Sequence, residues 1–160
     1  RQPQTQSRPW INNLMSWITS LLGLRKKAKR LTLGAPSLFS EIERQHANLM
    51  DADCCIRLGD REYVSMSKQE AFIAISSVVS VYRPETSDCD DFALLAKAEA
   101  IRRQRRGDYD GKVAAFGQVW LSRHAINFYL HHDGGIRFIN NDGLPYDIRL
   151  LRGEITLLLA

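Results

Sequence analysis

The stretch TSDCDDFALLAKAEAI, residues 86–101, decides how this chain is read. Ser87 or Asp88 can cap a helix, and Asp90 and Asp91 favour its positive end. The spacing predicts a helix from Asp88 or Cys89 to about Arg106. Cys89 then sits in the first turn, where backbone N–H groups and the helix dipole favour a thiolate. Asp88, Asp90 and Asp91 oppose that effect, so a nearby cation would help, and His124 is the leading source. Four polar neighbours, Ser87, Asp88, Asp90 and Asp91, make this a poor place for an ordinary core cysteine.

Downstream the pattern turns strand-like. KVAAFGQVW (112–120) and HAINFYLHH (124–132) are separated by Leu121, Ser122 and Arg123; GGIRFIN (134–140) follows the Asp133–Gly134 turn. NNDGLP is a further turn, and DIRLL and EITLLLA complete the chain. His124 opens its strand, an arrangement that can set an imidazole beside a helix-borne thiol. In IRFINND, alternation places Ile136, Phe138 and Asn140 on one face and Arg137, Ile139 and Asn141 on the other. Asn140 or Asp142 can reach the imidazole, and Asn140 is the first choice because it lies within the strand. Asp91, as cap or neighbour, and Gln118, as a hydrogen-bond donor toward an oxyanion, are supporting candidates. Asn127 falls on the opposite strand face from His124 and reads as structural. Trp120, just before the histidine strand, is read as core or as a cover for the site.

Upstream, Pro36 and Ser37 open a helix, LFSEIERQHANLM, with Leu38, Ile42 and Leu49 inward and His46 as a surface or capping residue. CCIRL and EYVSM flank Gly59–Asp60 and read as a hairpin over residues 51–65. Ser67 and Glu70 have capping-box spacing before a helix to about Val79, and residues 82–86 read as a loop. Helices before strands suggest an α+β domain, with helices packed on an antiparallel sheet.

Composition bounds the rest. With 160 residues the chain suits one domain, and 44% hydrophobic against 25% charged residues is ordinary for a folded protein. No run of about 20 apolar residues exists to span a bilayer. The net charge of +4 divides unevenly. Residues 1–50 hold eight basic and two acidic residues, so they carry +6; the remainder carries −2. Residues 1–33 therefore read as an arm and 34–160 as the domain. The arm contains WINNLMSWITSLLGL (10–24), an amphipathic helix with an uncharged polar face, and then the basic run Arg25–Arg30. Docking on a protein partner, contact with a membrane surface and contact with nucleic acid all remain open for residues 10–30, nucleic acid being the weakest. The charge follows the apolar stretch, the wrong order for a cleavable signal peptide, so a cytoplasmic or virion-associated location is expected.

Three cysteines, two of them adjacent, do not make a disulfide framework; one bridge from Cys89 to Cys54 or Cys55 stays open. Cys54 and Cys55 fall in a strand and read as inert. No metal-ligand spacing is present, and His131 and His132 would point to opposite sides of a strand, so no metal or cofactor is expected.

TSDCDDFALLAKAEAI, GQVWLSRHAINFYL (117–130) and GIRFINNDG (135–143) together resemble the transglutaminase-like cysteine peptidases of bacteria and their phages. The likeness spans roughly residues 60–145. It rests on Asp-Cys-Asp-Asp-Phe-Ala opening a helix, His-Ala-x-Asn on a strand, and a polar residue one strand later. It implies a papain-like α+β fold, a Cys89 nucleophile, a His124 base and an orienting Asn140, where many members carry Asp or Glu. The first 50 residues have no counterpart in it. The implied function is a thiol-dependent hydrolase, a peptidase or amidase acting on a protein or peptide, phage-encoded. The alternative is a non-catalytic virion or assembly component that uses the fold as a scaffold and docks through its arm.

Overall fold

The computed structural model describes residues 29–78, 88–147 and 153–160. The expected amphipathic helix at 10–22, the loop at 82–86 and most of the DIRLL strand lie outside them. Seven strands and three α-helices are described: β1 (Thr32–Gly34), α1 (Ala35–His46), β2 (Met50–Arg57), β3 (Glu62–Val64), α2 (Lys68–Ser76), α3 (Cys89–Arg105), β4 (Phe116–Leu121), β5 (Ala125–Leu130), β6 (Ile136–Ile139) and β7 (Ile155–Leu159).

The helices form where the local signals place them. Pro36 stands in the first turn of α1, and Leu38, Ile42 and Leu49 are buried as expected. His46 is also buried, 6% exposed, and lies against Ile136 O at 3.3 Å. It is a core residue, against the expectation of a surface one. Ser67 and Glu70 form the full capping box of α2. Asp88 is the N-cap of α3 through its backbone, with no side-chain capping bond.

Five strands form one sheet in the order β2-β7-β4-β5-β6. β4, β5, β6 and the β4–β7 pair are antiparallel, but β2 runs parallel to β7. The sheet is therefore mixed, a correction to the expected antiparallel one. The hairpin expected over residues 51–65 is also absent. β2 pairs with the C-terminal strand, and β3 pairs antiparallel with β1 as a separate two-stranded ribbon. A turn does lie between β2 and β3, but each strand finds its partner far away in sequence.

Alternation along the strands gives the sheet two apolar faces. Val119, Ile126, Phe128, Ile136, Phe138 and Leu158 pack with Leu38 and Ile42 of α1. Phe116, Tyr129 and Ile139 pack with Ala71, Ala74 and Ile75 of α2 and with Ala96 and Ala100 of α3. Burying such large side chains contributes about 1.5–3 kcal/mol each. Gly117 is required where β4 meets β5 and β7. A Cβ there would run into Leu159 O and the Phe128 ring.

α3 approaches the sheet closely because its inner face is small. Cys89, Ala93, Ala96 and Ala100 recur at i, i+4, i+7 and i+11 and share one face, and the three alanines are buried. Cys89 heads that stripe, so its sulfur faces the end of β5.

The chain leading into β1 is fastened to the domain. Arg30 donates to Ser65 O (2.9 Å) and to both carboxylate oxygens of Glu70, stands 3.4 Å from Asp110, and lies over the Tyr109 ring. Leu31 N–H donates to Ser65 Oγ, which also meets His132 Nδ1 at 2.7 Å. Tyr109 and Asp110 hold this arrangement in left-handed backbone, φ 58° and 56°.

Candidate functional site

Three elements bring Cys89, His124 and Asn140 to one end of the sheet. Cys89 opens α3, His124 immediately precedes β5, and Asn140 immediately follows β6. The β5–β6 register pairs Asn127 with Ile139, so the residues beyond that pair flank each other across the ladder's end. Asn140 Oδ1 lies 3.0 Å from His124 Nε2. An amide oxygen only accepts, so Nε2 carries the proton in the neutral ring and Nδ1 keeps its lone pair. The Asn140 backbone is itself held: its N–H donates to Leu144 O and its carbonyl accepts from Gly143 N–H. Gly143 adopts φ +80°, which suits glycine in this tight turn.

Cys89 Sγ accepts the Ala125 N–H at 3.4 Å. Among the described residues, no hydrogen bond joins that sulfur to the His124 ring. Asn141, assigned to the opposite face by alternation and given no role, ties the helix to the sheet. Its Nδ2 donates to Cys89 O (3.1 Å) and Ala125 O (3.2 Å). Paired Asn residues at a strand end were the only available signal for this brace. Asn127, fully buried, does the same one turn further along, donating to Ala93 O and Gly117 O. Its structural assignment agrees with this.

The supporting candidates stand apart. Asp142 Oδ1 accepts from Leu144 N–H inside the turn, and no hydrogen bond joins Asp142 to the imidazole among the described residues. Gln118 is buried in β4 opposite Asn127, with no hydrogen bond to Cys89, His124 or Asn140 among the described residues. Asp91 lies in the first turn of α3, likewise without such a bond. Trp120 is 38% exposed and pairs with Ala125 at the Cys89 end. Cys54, Cys55 and Cys89 are all free thiols. Burial pushes the Cys54 thiol above its ordinary value, keeping it protonated.

Asp88, Cys89 and Asp90 offer ligand atoms within 4.8 Å of one another. The hydrogen bond with Asp88 pushes the Asp90 carboxyl above its ordinary 3.8, as two carboxylates sharing a proton would. That is an acidic helix start, and among the described residues nothing else around it points to an ion.

A cavity of about 750 Å³ adjoins the cluster on the outer side of β6. Tyr146 belongs to both: it lines the cavity, and its ring centroid is 6.2 Å from that of His124.

No family model and no curated protein matches the chain. Solved structures do. A chain of the PSL1a–E64 complex matches with TM-score 0.67 and 17% identity over 81% of this chain and 50% of that one. Polyporus squamosus lectin bound to the human-type influenza-binding epitope Neu5Aca2-6Galb1-4GlcNAc matches with TM-score 0.67 and 16% identity over the same shares. The resemblance to transglutaminase-like cysteine peptidases is therefore corrected: the fold matched is that of half of the PSL1a and Polyporus squamosus lectin chains, and the expected fold class is replaced by a mixed α/β domain with a five-stranded sheet. The thiol-hydrolase reading, whether peptidase or amidase, leaned on that resemblance, loses its support and is not carried forward. At this identity the likeness extends to fold, and the chain spans half the length of either protein.

Proposed function

We propose that this chain is a binding component without turnover, which uses its fold as a scaffold and holds a ligand at Cys89, His124 and Asn140. The observation that carries the reading is the 3.0 Å His124–Asn140 hydrogen bond, made at a half-buried sheet end beside a free thiol. It fixes the tautomer and leaves an imidazole acceptor and a sulfur for a ligand. Asn141 and Asn127 brace the helix that presents the sulfur. The matched Polyporus squamosus lectin is described as bound to a glycan epitope, which supports a binding role, and E64 in the other complex supplies a probe for the thiol.

E64 is the sharper probe at a thiol, because it is an epoxide. Sulfur bonds to an epoxide carbon, the C–O bond opens, and the oxygen takes a proton. Thermal unfolding with and without E64 tests the proposal. The expected result is a rise in Tm for the native chain and none for Cys89→Ser. An unchanged Tm in the native chain, or an equal rise in the variant, removes the site.

The N-terminal arm, expected over residues 1–33 but already fastened to the domain from Arg30 onward, is proposed to attach the domain to a larger assembly, a virion among the candidates. Residues 1–33 hold seven basic and no acidic residues, +7 against −3 for residues 34–160, which supports this. Among the described residues no helix is long and apolar enough to cross a membrane. Deleting residues 1–28 should abolish co-purification with the assembly and preserve the response to E64. Loss of both would contradict separate roles.

A further inference from the structure

We infer that the cavity beside β6 is a second binding site, independent of the thiol cluster, and that it takes an acidic sugar. Its floor is buried and ring-lined: Tyr129, Phe138 and His46 are 3–6% exposed, with Ile136 and Ile139 between them. Burial raises the Tyr129 phenol and lowers the His46 imidazole from their ordinary values, so both stay neutral near pH 7. His46 Nε2 faces a carbonyl and therefore donates, so Nδ1 keeps its lone pair. The floor thus offers planar apolar surface with neutral polar groups, which suits a hydroxylated ring.

The rim is cationic. Arg44, Lys68 and Arg137 line the cavity and are exposed. Arg44 is engaged by Glu41, and Arg137 gives one N–H to Asp133. A guanidinium has five donors, so Arg137 retains others, and Lys68 makes no ion pair among the described residues. A carboxylate at this rim would gain charge-assisted hydrogen bonds.

The sheet edge excludes the obvious competing ligand, an extended peptide added to β6. Ile136 N–H donates to Gln45 Oε1, and Ile136 O receives His46. Phe138 O accepts Tyr146 N–H, and Asn140 N–H donates to Leu144 O. With those outward groups taken, Phe138 N–H is the one outward group of residues 136–140 left without a stated partner, too little for a strand to add to, and recognition falls to side chains.

The test is an NMR titration of the full chain with glucuronic acid, glucose and triglutamate. Glucuronic acid should shift the Arg137, Phe138 and Tyr146 amides and bind at least tenfold more tightly than glucose, about 1.4 kcal/mol. That preference should vanish in the Lys68→Ala, Arg137→Ala double variant and survive in Cys89→Ser. Equal affinity for glucose, tighter binding of triglutamate, or an absence of shifts at these amides would overturn the inference. Loss of the E64 response alone would leave it standing.

Discussion

His124 Nε2 and Asn140 Oδ1, 16 residues apart in sequence, meet at 3.0 Å across the end of the β5–β6 ladder. If that bond orients the ring, its loss should be read at Cys89. Asn140→Ala is expected to slow E64 modification of Cys89 by about tenfold while costing only about 1 kcal/mol of stability, the usual net value of one hydrogen bond. Second-order labelling rates with urea melts check both parts. An unchanged rate would mean the bond is only structural.

Asn127 should behave oppositely. It is fully buried and joins Ala93 O of α3 to Gly117 O of β4. Asn127→Ala removes two buried hydrogen bonds whose carbonyls still belong to the helix and the β4–β5 ladder, at about 0.5–1.5 kcal/mol each. Chemical denaturation should show the loss, and E64 modification of the remaining folded protein should be little changed.

Gly117→Ala is expected to be the most damaging single methyl. The added Cβ would strike the Leu159 backbone and the Phe128 ring, so β4 must move from β7 or β5. Overpacking of this kind costs about 1–3 kcal/mol, and backbone contact puts it at the upper end. A denaturation midpoint equal to the native one would show that the strands give way without cost.

The Arg30 fastening predicts a pH dependence. Burial by itself would push the Glu70 carboxyl up, but the hydrogen bonds from Arg30 and Ser67 outweigh it and hold Glu70 below its ordinary 4.5. A lowered folded value means the carboxylate stabilises the fold above the unfolded value of about 4.5, and that this is lost as pH falls through the lower folded value. Stability against pH should therefore fall on acidification below about pH 4.5, and the slope there should be shallower in Arg30→Ala. Asp133 provides an internal reference. The Gly135 N–H leads in holding its carboxyl down to about 2, so it should still titrate well below the ordinary range in the same variant.

The local elements were legible because their signals are local. Ser67 and Glu70 announced α2, the acidic turn at Asp88–Asp91 announced α3, and alternation announced β4, β5 and β6. Cys89, His124 and Asn140 were all named from spacing, and the last two are in contact. Pairing of β2 was not legible. Its partner is β7, about 100 residues away, and nothing in CCIRL distinguishes that strand from the nearer EYVSM. His46 was misread because its burial depends on β6, supplied 90 residues later. Asn141 was missed because alternation assigns faces only within a strand, and the chain leaves β6 at Ile139. Family likeness failed for a related reason. Short motifs around a cysteine, a histidine and an asparagine specify residue order, whereas many functions can be mounted on one scaffold.

Peptide mapping after exposure to E64 tests the ligand site most directly. The account predicts one stable adduct per chain, on Cys89, with Cys54 and Cys55 unmodified although Cys55 is exposed, and with the rate reduced at least tenfold in His124→Ala, a 1.4 kcal/mol effect. Modification spread over Cys55 and Cys89, or a Cys89 rate indifferent to His124, would contradict it.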